Sequence, residues 1–458
     1  MTASALLLLA LAAAADGDGT TPLHQAVYAE DLGAVAKLLR GHADAKAANR
    51  YGVTPLSLAC TSGNAAVVKL LLDAGADANG RLPGGETMLM TAARAGNAEV
   101  VSLLLARGAN ANASETTSRQ TALMWAAAEG NVAAVEALLK GGAELRVRSK
   151  AGFTPFLFAA REGRLEVVKA LLKAGAEVDD KQQNTTPRPG SVNGPPANGT
   201  SALVLAVVNG HFELADFLLQ AGADPNAADA GFCALHAIPS VRKPGLGDNQ
   251  PAPIGSGNLS SLELVTRLVK HGADVNARTT KKVNFGMSEL NTLGATPFLL
   301  AARTADAELM RALAALGADP KLTNAEHSTA LMIAAGLGTR SPGEDAGDEP
   351  AVVEALQVAL DLGVDIDAVN DNGETAMHGA AYKNLPAAVQ FLADKGAKLE
   401  VWNRKNAFGW TPLAIAVGYR FGNFKPSPPT VAVFEKLMKS AGVSTAIDPT
   451  SRNKSPYW

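Results

Sequence analysis

The side chains able to do chemistry are few and widely spread. The chain has seven histidines, at 24, 42, 211, 236, 271, 327 and 378, and two cysteines, Cys60 and Cys233. Nucleophilic hydrolysis needs a serine or cysteine poised against a base, and metal chemistry needs His, Cys or carboxylate ligands at fixed spacing. Neither pattern occurs. There is no G-x-S-x-G turn, no H-E-x-x-H, no C-x-x-C and no glycine-rich phosphate loop. Asp365, Asp367, Asn370, Asp371 and Asn372 ahead of Gly373 offer oxygen ligands, but their spacing is not that of an EF-hand loop. No catalytic residue, cofactor or metal is therefore expected, and the two thiols read as small core residues. What remains is recognition, carried by sparse Tyr and Arg side chains, and the elements that space them come next.

Starts of the Thr-Pro-Leu type occur at 21, 54, 87, 121, 154, 201, 233, 296, 329, 375 and 411, giving eleven repeats. Successive spacings are 33, 33, 34, 33, 47, 32, 63, 33, 46 and 36, a 33-residue period broken by insertions. Each repeat reads as two helices. Thr caps the first, Pro suits its first turn, and the Ala pairs that follow, such as Ala92-Ala93 and Ala126-Ala127, let neighbouring helices approach closely. The second helix has the apolar spacing of Val67, Val68, Leu70, Leu71 and Leu72 and stops at Gly75, able to take the left-handed cap. Asp or Asn two residues on, as at Asp77 and Asn110, bonds its own backbone in the turn to the next repeat. One repeat alone has nowhere to bury its apolar face, so the repeats must stack.

The segments TPLHQAV at Thr21, NAAVVKLLLDAGADANG at Asn64 and GHFELADFLLQAGADPNA at Gly210 resemble ankyrin repeats, over about residues 20–445. The resemblance implies an all-α ankyrin-repeat solenoid of about eleven helix-turn-helix repeats with loop insertions, a non-catalytic scaffold that binds a protein partner. Met-rich starts such as TALMWAA and TALMIAA resemble those of exported bacterial ankyrin proteins. Two departures stand out. The fourth-position His of the family survives only at His24, His236 and His378, so the bonding it supplies between repeats must elsewhere give way to packing. Insertions rich in Pro, Gly and Asn extend turns between repeats at 180–199 and 279–294, and separate the paired helices at 240–259, 338–350 and 420–429. They read as exposed loops, either loosely held decoration or a second contact surface.

Family members bind partners on the concave side, through turn tips and the residues just after each Ala pair. Mapped onto this chain, those slots hold Tyr28, Tyr382 and Tyr419, with Tyr51 in a turn, and Arg94, Arg161, Arg303 and Arg420. Phe153, Phe232 and Trp410 stand just before repeat starts. Tyr and Arg are enriched at binding hot spots, which makes Tyr28, Tyr51, Arg94, Phe153, Arg161, Arg303, Tyr382, Trp410, Tyr419 and Arg420 the candidate partner-binding set. Trp125 replaces an inward-facing Leu of the repeat and is expected in the core. The alternative is a regulatory or immunity-type subunit that inhibits or escorts an enzyme through acidic loops such as Gly343-Glu344-Asp345.

Composition narrows the partner. Lys and Arg total 41 against 44 Asp and Glu, a net charge of −3, so nucleic acid has no basic footprint to bind. Residues 1–15 read as a probable signal peptide, an apolar run ending in small side chains, which predicts export to the periplasm or outside the cell, with no stable membrane insertion after processing. Without that processing the chain would be cytoplasmic. Residues 446–458 form a tail, and the polar stretch from Ser440 onward is expected to close the stack and favour a monomer.

Overall fold

The computed structural model describes residues 17–183, 198–245, 252–285, 288–420 and 426–448. The apolar run at 1–15, read from sequence as a probable signal peptide, most of the 180–199 insertion, parts of the insertions at 246–251 and 421–425, and the end of the tail lie outside them. The chain divides into two compact units, Met1–Thr186 and Pro187–Trp458. Repeats one to five build the first and repeats six to eleven the second.

Within each unit an inner helix of six to nine residues is followed by an outer helix, and successive pairs stack. In repeat two, Pro55–Ser62 is the inner helix and Ala65–Asp73 the outer. The inner helices start where a small hydroxyl satisfies the free amides. Thr21, Thr54, Thr87, Thr121, Thr154, Ser201, Thr296, Thr329 and Thr411 each accept from the backbone amide three residues on. Their middle residues are almost all buried: Ala59, Ala92, Ala93, Ala126, Ala159, Ala160, Ala206 and Ala301 are fully covered. The outer helices bury one stripe, for example Val67, Val68 and Leu71, and leave the other side to solvent.

Two ladders join neighbouring repeats in unit one. At the turn edge, Asn79 donates through Nδ2 to the Gly108 carbonyl at 2.9 Å and accepts from the Asn110 amide at 2.8 Å, and Asn112 does the same with Gly142 and Glu144. At the opposite edge the residues heading the outer helices of repeats three to five reach back one repeat. Asn97 donates to the Gly63 carbonyl, Asn131 to those of Ala93 and Arg94 at 2.9 and 3.0 Å, and Arg164 to that of Ala128 at 2.8 Å.

The three histidines of the family position work identically. The Thr21 amide donates to His24 Nδ1 at 3.2 Å, which fixes the proton on Nε2, and Nε2 donates to the Val53 carbonyl of the next repeat at 3.0 Å. His236 Nδ1 accepts from the Cys233 amide while Nε2 serves the carbonyls of Ala277 and Ala295; His378 Nδ1 accepts from Thr375 while Nε2 serves Arg404. At Met90 and Met332 the sulfur takes only the first of these roles, accepting from the amides of Thr87 at 3.4 Å and Thr329 at 3.5 Å. Leu157, Val204 and Leu299 contribute packing alone, each at most 2% exposed.

In unit two the ends of the insertions are fixed to neighbouring repeats. From the turn between repeats seven and eight, Ser288 bridges to Thr339 of repeat nine, and the Glu289 amide donates to the Gly338 carbonyl at 2.9 Å. Gly338 is left-handed (φ +87°), and a Cβ there would lie 2.6 Å from the Leu290 amide nitrogen, so this crossing requires glycine. Where repeat seven's loop begins, Arg242 pairs with the buried carboxylate of Asp306 at 2.6 Å and with Glu308 at 2.8 Å, while Lys243 donates to the Ala305 carbonyl.

Candidate partner-binding surface

In unit one the inner-helix face carries aromatic rings with guanidiniums laid over them. Arg94 closes the inner helix Met88–Ala95 of repeat three, and its guanidinium lies 4.9 Å from the ring centre of Trp125 in repeat four. Glu86 holds it at 3.3 Å and also accepts from the Thr91 hydroxyl. Arg161 ends the inner helix of repeat five and covers two rings, Phe158 at 4.9 Å and Phe153 at 5.2 Å, with Glu162 at 2.8 Å. Each guanidinium keeps 38% of its side chain exposed. Placement over a ring restrains the guanidinium, and each one is also paired with a carboxylate of its own repeat. Trp125 is only partly covered, not fully internal as its motif position suggested, and Arg94 lies over its ring. Its indole N–H is buried without a hydrogen-bond partner.

Tyr28 and Tyr51 also stand on unit one, 48% and 45% exposed, and Arg50 lies 4.7 Å over the Tyr51 ring while donating to its hydroxyl. Both rings lie outside the core.

Other members of the sequence-derived set are placed differently. Phe153 is 8% exposed, Trp410 2% and Arg420 4%, so these three do not face a partner. Phe153 and Trp410 precede the inner helix, where the chain turns inward, and fill the gap between turn and helix; Phe232 is buried likewise. Phe153 packs on Phe158 and Trp410 on Phe408, ring centres 5.3 and 5.2 Å apart. Arg420 donates to the carbonyls of Tyr382 and Arg340, which internalises it. Tyr382 is half-buried and its hydroxyl is committed to Glu374 at 2.9 Å. Asn406 bonds both, at 3.1 Å to Glu374 and 3.0 Å to the Tyr382 oxygen, and burial pushes the Glu374 carboxyl above its usual range. Arg303 and Tyr419 are half-buried. The structure thus brings Arg94, Arg161, Tyr28 and Tyr51 to the accessible surface of unit one, while unit two turns much of its share into internal structure.

The three histidines of the family position are buried and held neutral. Burial pushes His236 and His378 down to about 4, and His24 is lowered for the same reason. The Cys60 thiol is buried and pushed up to about 12, so it is no nucleophile. Among the described residues no group of three or more His, Cys, Asp or Glu is disposed to hold a metal, and no helix is long and apolar enough to cross a membrane.

Comparison with known proteins decides the family. The model for ankyrin repeats (three copies) matches residues 3–81, 89–182, 146–229 and 346–425, well over half of the chain. The chain belongs to the ankyrin-repeat family. Ankyrin repeats are in general protein–protein interaction modules, and their fold is typically non-catalytic. Among curated proteins, a stretch of 97 residues, 21% of this chain, is 30% identical to part of glycerophosphocholine phosphodiesterase GDE1 of Candida albicans. The chain spans 7% of that relative's length, which brings no phosphodiesterase activity with it. Among solved structures, the human ASB11 ankyrin repeat domain is 24% identical, with a TM-score of 0.43 over 56% of this chain and 99% of that one.

Proposed function

We propose that this ankyrin-repeat protein is a non-catalytic scaffold that holds one protein partner along the inner-helix face of unit one. What supports this reading is the pair of part-exposed guanidiniums laid over rings, Arg94 over Trp125 and Arg161 over Phe158, together with the exposed Tyr28 and Tyr51 of the same unit. Each ring is held by packing, so little side-chain entropy is lost when a partner docks. The apolar leader at 1–15 adds export as the setting, with a cell-envelope or extracellular partner.

The test is affinity capture from the host's envelope fraction, comparing the wild type with a variant carrying Tyr28→Ala, Tyr51→Ala, Arg94→Ala and Arg161→Ala. Circular dichroism establishes that both fold. The expected result is a specific protein retained by the wild type and lost from the variant. Equal retention by both would remove unit one's inner face as the binding surface.

A further inference from the structure

At the loop edge of unit two, cations gather where the inner helices end. Lys383, the last residue of the inner helix Ala376–Lys383, is 6% exposed and Arg420 is 4% exposed, with half-buried Arg303 nearby. Gly336 (φ +115°) allows this crowding, since a Cβ there would lie 2.5 Å from Lys383 Cβ. The cover over these cations is the acidic insertion of repeat nine. Lys383 Nζ donates to the Ala346 carbonyl at 2.6 Å, and Arg420 reaches the Arg340 carbonyl at 3.4 Å. Asp345 acts electrostatically on both Lys383 and Arg420, Asp348 acts on Lys383, and Arg303 repels Lys383.

Burying an ammonium is costly unless a counter-charge repays it. Burial here pushes Lys383 down to about 8, so Asp345 and Asp348 offset the cost only in part. The loop is also lightly held. None of residues 340–348 contributes an apolar side chain to the core, which resumes at Val352. A segment that buries no apolar side chain of its own opens locally at lower cost than the helices beside it. Two buried cations and a third beside them, covered by a loop whose Ala346 and Arg340 carbonyls bond two of them and whose Asp345 acts on both electrostatically, have the features of a ligand site occupied in cis.

We propose that Arg303, Lys383 and Arg420 form an anion-binding site whose present occupant is the chain's own acidic loop, and that a carboxylate-rich segment of a partner protein takes the loop's place. The assignment stands independently of the unit-one surface. The loop then acts as a competitive guard, and apparent affinity for an acidic segment is lowered by the fraction of molecules in which the loop is seated.

The experiment uses the full chain as wild type, Asp345→Asn, and Asp345→Asn with Lys383→Met. Hydrogen exchange follows the amides of residues 338–348, and fluorescence anisotropy follows a labelled hexaglutamate peptide. Asp345→Asn should speed exchange in the loop and tighten the peptide by about tenfold. Adding Lys383→Met should return affinity to the wild-type level or below, while a thermal melt confirms folding, which loss of a buried charge favours. Unchanged exchange and affinity in Asp345→Asn would overturn the proposal, as would a double variant that binds as tightly as the single one. Inorganic phosphate displacing the peptide at equal total charge would overturn the assignment to carboxylates.

Discussion

Acidification should loosen unit two ahead of any carboxylate effect, because His236 and His378 are built to be neutral. In each, Nδ1 accepts a backbone N–H and Nε2 donates across to a neighbouring carbonyl, so a second proton leaves Nδ1 unable to accept and places a charge in the interior. Both rings are nearly fully buried, at 1% and 0% exposure, and both are pushed down to about 4 from 6.5. A folded-state value below the unfolded one means that the unfolded chain binds more protons. The contribution of each ring is thus whole above pH 6.5 and is lost as pH falls toward 4. Between pH 7 and pH 5 the loss is about 2 kcal/mol per ring, or about 4 kcal/mol for the pair. Urea unfolding of the wild type and of His378→Gln at pH 7, 6 and 5 isolates one ring. The variant starts less stable, since Gln does not reproduce both bonds, but its stability should fall less steeply with pH, by about 2 kcal/mol at pH 5. Parallel pH profiles for the two proteins would refute the reasoning.

Phe153→Ala should destabilise unit one by about 3 kcal/mol, seen as a lower melting temperature, because the ring is packed on Phe158 and lies outside solvent. Asn79→Ala removes two bonds between repeats two and three and should cost about 1–2 kcal/mol by urea titration. Lys383→Met should raise stability at pH 7 in the same assay. The wild type should itself become more stable as pH climbs from about 8 toward 10.5, because the buried ammonium is held below its unfolded value. Cys60 should resist alkylation in the native protein and react only after denaturation, which mass spectrometry of iodoacetamide-treated samples reads directly.

Much of this architecture was legible because each repeat uses one residue for one local task. Thr before the inner helix, Gly after the outer helix and Asp two residues later act within their own repeat, so spacing alone exposes them. Asn79 was harder to read. It looks like the turn residue beside it, yet its partners lie 29 and 31 residues away. For the candidate surface, sequence position separated slots from core only partly. Tyr28 and Arg94 occupy equivalent slots and are accessible, whereas Tyr382 in the same slot is tied to Glu374 and Asn406. Arg420 looked like an anchor because Arg so often is one, and only the reach of its guanidinium to carbonyls 38 and 80 residues away explains its burial. No periodic pattern announces such contacts, since they arise from insertions that the repeat does not encode.

The link from Arg420 to Arg340 joins the eleventh repeat to the ninth, and the Ser288–Thr339 bridge ties the turn before repeat eight to repeat nine. A repeat array normally loses stability one interface at a time, each unit sensing only its immediate neighbours. Unit one, with its like-for-like ladders, should fray from an end in that way and accept the deletion or duplication of an internal repeat. Unit two is laced across non-adjacent positions, so excising repeat ten would strand partners on both sides of the cut. The second unit therefore melts as a block, and its repeats are not interchangeable parts.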